Sequence, residues 1–175
     1  MPKIIKDLKP HIKEEAFKLF KEVGYDKVSM RALAKAVGIA VGTLYNYFPN
    51  KDAMYTEILL EDWETTHSKL KAVLESYQGQ AALKEAIILL MEDVKNRGGL
   101  GRILIGLPGQ SQPTDHIKEP FLTIFENIIQ VFSTIYQDLA CPYPERKAVV
   151  IFNATITLNN YFDSETDNLD FLMTL

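Results

Sequence analysis

The chain has 175 residues, 47% apolar and 24% charged, an ordinary globular composition that excludes wholesale disorder. No apolar run approaches the roughly 18–20 residues of a membrane span, the N-terminus MPKIIKDLKP lacks the apolar segment and cleavage site of a secretory signal, and the single cysteine, Cys141, excludes an intramolecular disulfide and fits a reducing cytoplasm. Of the net charge of −4, residues 1–55 hold nine lysines and Arg31 against six acids, which leaves +4 there and −8 on the remainder, a division that attracts phosphate locally.

Strand signals are nearly absent, since apolar residues recur three and four apart almost throughout, and the fold class expected is all-α. A first helix fits Pro10–Val23, with proline in the first turn, Glu14 and Glu15 close behind, and Gly24 as the left-handed stop. Its stripe of Ile12, Ala16, Leu19, Phe20 and Val23 faces a small core. Ser29 suits the N-cap of a second helix, Met30–Val37, ended by Gly38. A third helix covers Val41–Phe48 and stops at Pro49, because proline disfavours helical geometry in the residue before it. A long fourth helix starts at Lys51 or Asp52 and reaches about Tyr77, and Gly79 breaks it. A fifth spans Ala81–Arg97. The glycine- and proline-rich stretch 98–113 reads as loops around a short helix, Leu100–Leu107. A strongly apolar helix follows over Asp115–Leu139, then a break at Cys141-Pro142-Tyr143-Pro144, then a helix over Glu145–Phe162. The tail, Asp163–Leu175, is too short for an assignment.

Residues 29–51, SMRALAKAVGIAVGTLYNYFPNK, carry the functional signal. Two helices crossing steeply over a short turn need a small residue where they touch, a glycine in the turn and a buried aliphatic in the second helix. Ala34, Gly38 and Leu44 meet these demands in order, with Leu33, Val37 and Ile39 beneath. This is a helix-turn-helix, whose second helix is built to lie in the DNA major groove. At about 100° per residue, Leu44 and Phe48 point to the core while Gly42 and Asn46 lie roughly opposite, with Thr43 between and Tyr45 and Tyr47 flanking the two sides. The outward face is small or polar with hydroxyls at its edges, which suits approach to base edges and phosphates without burying charge. Tyr45 and Tyr47 would otherwise be ordinary half-buried aromatics, a reading less apt for two residues flanking one polar face. Lys51 at a helix N-terminus is mildly unfavourable for the helix, so phosphate contact explains it better. Ser29 either caps its helix or also meets a phosphate, and Arg31 reaches a guanine edge or the backbone.

The run Val28-Ser29-Met30-Arg31-Ala32-Leu33-Ala34, followed by Gly42-Thr43-Leu44-Tyr45-Asn46-Tyr47-Phe48-Pro49-Asn50-Lys51-Asp52-Ala53-Met54, resembles the DNA-binding domain of the TetR family of transcriptional regulators. The likeness covers about residues 8–58. It implies an all-helical homodimer, usually a repressor, released from operator DNA by a small ligand bound in the C-terminal domain. By family position, Arg31, Val41, Gly42, Thr43 and Tyr45 face bases or nearby backbone, while Ser29, Tyr47 and Lys51 hold phosphates. One departure is Ala40, where many members carry Ser or Thr; it removes a cap hydroxyl. Members usually end in two long helices that form a four-helix dimer bundle. With about thirteen residues after Phe162, a last helix here is expected to be short, absent or outside this sequence.

Residues 1–50 are thus expected to form the helix-turn-helix DNA-binding domain and 51–175 a helical ligand-binding and dimerisation domain. In the latter, Trp63, His67, His116, Phe121 and Phe125 are the candidates for a pocket, against the plainer reading of aromatics at helical spacing as core. Val149, Val150, Phe152, Ile156 and Leu158 lie on more than one side of their helix, consistent with burial on one face and subunit pairing on another. Asn153, Asn159 and Asn160 are placed to hydrogen-bond at such an interface. His11, His67 and His116 lack metal-ligand spacing and Cys141 has no nearby base, so neither catalysis, a metal nor a cofactor is expected. The function read from the sequence is a sequence-specific DNA-binding transcriptional regulator, a ligand-responsive cytoplasmic repressor that binds a palindromic operator as a homodimer. The alternative is a helical small-molecule-binding or protein-interaction module without DNA binding.

Overall fold

Apolar spacing of three and four is satisfied by helices, and a computed structural model, which describes residues 8–98, 100 and 115–175, contains no strand among them. The elements are α1 (Leu8–Val23), a 3-10 turn (Tyr25–Lys27), α2 (Met30–Val37), α3 (Val41–Tyr47), α4 (Lys51–Ser76), α5 (Gly79–Asn96), α6 (Asp115–Asp138), α7 (Pro144–Tyr161) and α8 (Glu165–Leu172). The all-α class is as expected. The expected helix over 100–107 lies, Leu100 apart, outside the described residues.

Several ends differ from expectation for local reasons. Phe48 is not helical: its ψ of 117° is the extended geometry that Pro49 imposes on its neighbour. Gly79 does not break the fourth helix but opens α5 with φ +57°, after a connection of only Tyr77 and Gln78. Pro144 takes the first position of α7, where its missing N–H is harmless. The tail forms a two-turn helix, α8, capped by Ser164, whose hydroxyl accepts from the Asp167 N–H.

The described residues divide into two compact units within α4. The first holds α1 through Glu61 of α4, with the start of α6. Its core is Ile12, Ala16 and Phe20 of α1, Leu33, Ala34 and Val37 of α2, Leu44 and Phe48, and Met54, Tyr55, Ile58 and Leu59 of α4. Lys9 and Lys13 of α1 both reach the Glu57 carboxylate, at 2.7 and 3.0 Å. Burial works against the charged form of Glu57, but these two hydrogen bonds prevail and hold its pKa below the usual value.

The second unit holds the remainder of α4, with α5, α7, α8 and α6 from Glu119. The apolar stripe of α6 is central, with Phe121, Ile124, Ile128, Phe132, Ile135 and Tyr136 buried. The Asn159 carboxamide of α7 donates to the Met91 carbonyl of α5 at 2.8 Å, and Asn153 to the carbonyl one turn back. Asn159 is therefore engaged inside this unit through one carboxamide N–H.

α6 ends in a Schellman motif: the Ala140 N–H donates to the Gln137 carbonyl at 2.9 Å and the Cys141 N–H to that of Tyr136 at 3.0 Å. The residue at the left-handed position is alanine, with φ +52°. An L-residue is disfavoured there by about 1–2 kcal/mol, so Ala140→Gly should raise unfolding stability by about 1 kcal/mol. Urea denaturation with an unchanged m-value checks this.

Candidate nucleic-acid interface

Two short helices, α2 and α3, and the start of α4 place the interface candidates. Ser29 precedes α2 with extended backbone, and its Oγ accepts the Ala32 N–H at 3.2 Å, so it is the N-cap of α2. Its hydroxyl hydrogen is not used by that bond. At the other end Gly38, with φ +77°, donates to the Lys35 carbonyl while Ile39 donates to that of Ala34 at 3.0 Å. This left-handed turn, which a side chain would strain, redirects the chain into α3. Ala40 caps α3 with no side-chain bond, as its missing hydroxyl requires.

Leu44 and Phe48 are fully buried, which fixes the rotation of α3. On its other sides Val41, Gly42, Asn46 and Tyr47 are exposed, Tyr45 is 50% exposed, and Thr43 is half-buried. Arg31 and Ser29 are exposed as well. A Cβ built on Gly42 would meet nothing within 4 Å, and its φ is not in the left-handed region. Neither packing nor backbone therefore calls for glycine, although glycine inside a helix costs about 1 kcal/mol relative to alanine. What Gly42 achieves is a low place on an outward surface.

Lys51 begins α4 half-buried. Its ammonium donates to the Tyr25 carbonyl at 2.9 Å and lies 4.0 Å from the centroid of the Tyr25 ring. The Tyr25 hydroxyl donates to the Asp52 carboxylate. Burial first, and then Asp52, push the Tyr25 phenol above its ordinary pKa, so it stays a donor. The Tyr25 ring also packs on Tyr55, with centroids 4.7 Å apart. The Asn50 carboxamide accepts the Ala53 N–H at 2.7 Å and so caps α4. Tyr25 and Asn50 escaped the sequence reading. An Asn just ahead of a helix start was a legible signal; nothing in the sequence tied Tyr25 to residues a helix-turn-helix away.

Of the pocket candidates, Trp63 and Phe121 are buried while Phe125 and His67 are half-buried. The His116 side chain lies outside the described residues. Trp63 and Phe125 meet edge to face at 5.0 Å, and Phe125 joins Phe121 at 6.0 Å and Phe152 at 5.4 Å. Phe152, read from the sequence as part of the α7 pattern, thus belongs to the same aromatic cluster. Burial, and then Lys71, push the His67 imidazole below its usual pKa. Among the described residues no group of three His, Cys, Asp or Glu side chains is placed to hold a metal, and no helix is long and apolar enough to cross a membrane.

Residues 12–58 match the profile of bacterial regulatory proteins of the tetR family. An HTH-type transcriptional regulator of Staphylococcus aureus (strain USA300) is 30% identical over 108 residues, a match that spans 61% of this chain and 58% of that relative. The chain thus matches little more than half the length of this relative. Among solved structures, a bacterial regulatory protein in the tetR family from Rhodococcus RHA1 superposes with a TM-score of 0.75 at 17% identity, covering 97% of each chain. A transcriptional regulator from Rhodococcus sp. Rha1 reaches 0.79 at 17% identity, over 94% of this chain and 93% of that one. These structures establish the fold, and the sequence matches supply the helix-turn-helix. Residues 12–58 are thus similar to the tetR family of bacterial regulatory proteins, and the chain shares the fold of the solved regulators.

Proposed function

We propose that this protein is a ligand-responsive transcriptional repressor in the cytoplasm, which binds a palindromic operator as a homodimer. Residues 1–50 read the DNA, and residues 51–175 bind the effector and pair the subunits. The observation that carries the reading is the outward face of α3, neutral and bearing hydroxyl and amide groups, with a glycine at its centre that nothing inside the chain requires. Arg31, Val41, Gly42, Thr43, Tyr45 and Asn46 face the bases or the adjoining backbone. Ser29, Tyr47 and Lys51 hold phosphates, Lys51 with the N–H donors that its single bond to Tyr25 leaves over.

Pairing is supported by the outer side of α7. Ala148, Ile151, Phe152, Thr155 and Ile156 are buried, whereas Val150, Thr157 and Tyr161 follow one exposed line past half-buried Ala154. Val150 is 51% exposed, with Val149 beside it. A stripe with small residues at its middle suits close approach of an identical helix about a two-fold axis. A single helix-turn-helix reads too few base pairs for useful specificity, and pairing doubles the number.

Three outcomes follow. Gly42→Ala should stabilise the fold by about 0.5–1 kcal/mol in thermal denaturation, yet weaken retention of an operator duplex in a mobility-shift assay at least tenfold. Equal or tighter DNA binding by this variant would remove Gly42 from the interface. Operator affinity should fall steeply between about 50 and 200 mM salt, and Lys51→Ala should flatten that dependence by close to one phosphate contact. A salt-independent affinity would contradict phosphate-driven binding. Val150→Asp should convert the dimer to a monomer in sedimentation analysis with helical content retained; a persisting dimer would place the interface elsewhere.

A further inference from the structure

Arg97, which follows α5, is only 2% exposed. Its Nε donates to the Asp62 carboxylate and its Nη2 to the Thr66 hydroxyl. Thr66 donates onward to Asp93 at 2.8 Å, and the same carboxylate accepts from Lys69 at 2.9 Å. The guanidinium lies on the indole of Trp63, 3.8 Å from the ring centroid. Two strong donors of this stack, Arg97 Nη1 and Trp63 Nε1, are buried with no hydrogen-bond partner among the described residues. One buried orphan of this kind is rare in native proteins, and two on one stacked pair call for an acceptor.

The charges decide what kind. Arg97 and Lys69 are matched by Asp62 and Asp93, so the cluster is balanced as it stands. A carboxylate would add an uncompensated charge to a desolvated place, which is costly. A carbonyl oxygen adds none and has two lone pairs, one for each donor. On the remaining sides Trp63 meets Phe125 and Phe152, and Phe121 lies beyond Phe125, all apolar. Phe125 is half-buried and meets Trp63 edge to face.

We propose that Arg97 and Trp63 form the polar end of an effector site for an uncharged, apolar molecule bearing a carbonyl oxygen. The oxygen accepts from Arg97 Nη1 and Trp63 Nε1, and the apolar body lies against Phe125, Phe121 and Phe152. The role as an effector rests on the reading of the chain as a ligand-responsive repressor; the binding does not.

Trp63 is the only tryptophan of the chain, so its emission reports the site directly. The full chain, without DNA, is titrated with three probes of matched length: methyl hexyl ketone, octanoate and octane. The ketone should change the Trp63 emission saturably and raise Tm, with at least tenfold tighter binding than octanoate or octane. Trp63→Phe keeps the ring packing and removes one donor, and should weaken the ketone-induced Tm shift severalfold. Arg97→Lys keeps the charge but loses the planar fork, and should erase the preference for ketone over octane; if it fails to fold, Trp63→Phe alone decides. No saturable change with the ketone, equal binding of all three probes, tighter binding of octanoate, or an unaltered Trp63→Phe would each overturn the proposal. Operator binding retained without ketone binding sinks this site alone, whereas ketone binding without operator binding sinks the repressor reading alone.

Discussion

Everything at the outer surface of the first unit depends on how one short helix is held. α3 has seven residues, about 10 Å of helix, and a segment of that length has no stability of its own in water. Its conformation is imposed from outside by the burial of Leu44, by Phe48 just beyond its end, and by the left-handed turn at Gly38. Burying one leucine is worth about 1.5–3 kcal/mol, which exceeds what the polar residues around it contribute to folding. The consequence is a division of labour by angle. Two residues of α3 and its edge fix the helix, and the rest are released from packing.

That release explains a composition that would otherwise look poor for a helix. Val41, Gly42, Thr43, Tyr45, Asn46 and Tyr47 are all weaker helix formers than alanine. A sequence selected for helix stability alone would not gather them in one place. Because the fold is secured by Leu44 and Phe48, their low propensity is tolerated and their chemistry is available to a partner. Lys51 shows the same logic at the next helix start. A cation is unfavourable beside the positive end of α4, and the Tyr25 carbonyl and ring offset that by holding the ammonium in place. Tyr25 in turn is fixed by Asp52 and by Tyr55, so one aromatic side chain after the Gly24 stop ties the turn to α4.

The existence and order of α1 to α7 were legible in the sequence, because apolar spacing and glycine or proline stops are local signals, whereas α8 was not. The outward set on α3 was legible for the same reason: once Leu44 is assigned to the core, helical geometry fixes its neighbours. Local rules failed where two of them competed, as at Phe48, where proline outweighed the apolar pattern, and at Gly79, which served as a helix start in place of a break. They failed more completely where the determining contact is distant in sequence. Tyr25 reaches Lys51 and Asp52, Asn159 reaches Met91, and Arg97 reaches Asp62 and Thr66 across 35 and 31 residues. Spacing along the chain says nothing about such pairs, so the polar seam of the second unit was invisible while its aromatic candidates were not.

The two units also handle charge in opposite ways. In the first, Lys9 and Lys13 pair with Glu57 and Glu61 of α4, and Lys18 pairs with Glu14 and Glu15 within α1. Residues 1–55 carry a net charge of +4, part of which Glu57 and Glu61 offset. In the second, the buried cation is matched at once by Asp62 and, through Thr66, by Asp93. Burial drives the pKa of Arg97 downward, and the two carboxylates oppose that shift. A buried arginine held in this way is weak evidence for stability, since an apolar side chain of similar volume serves a core as well or better. Its directed N–H groups are what an apolar replacement would lack.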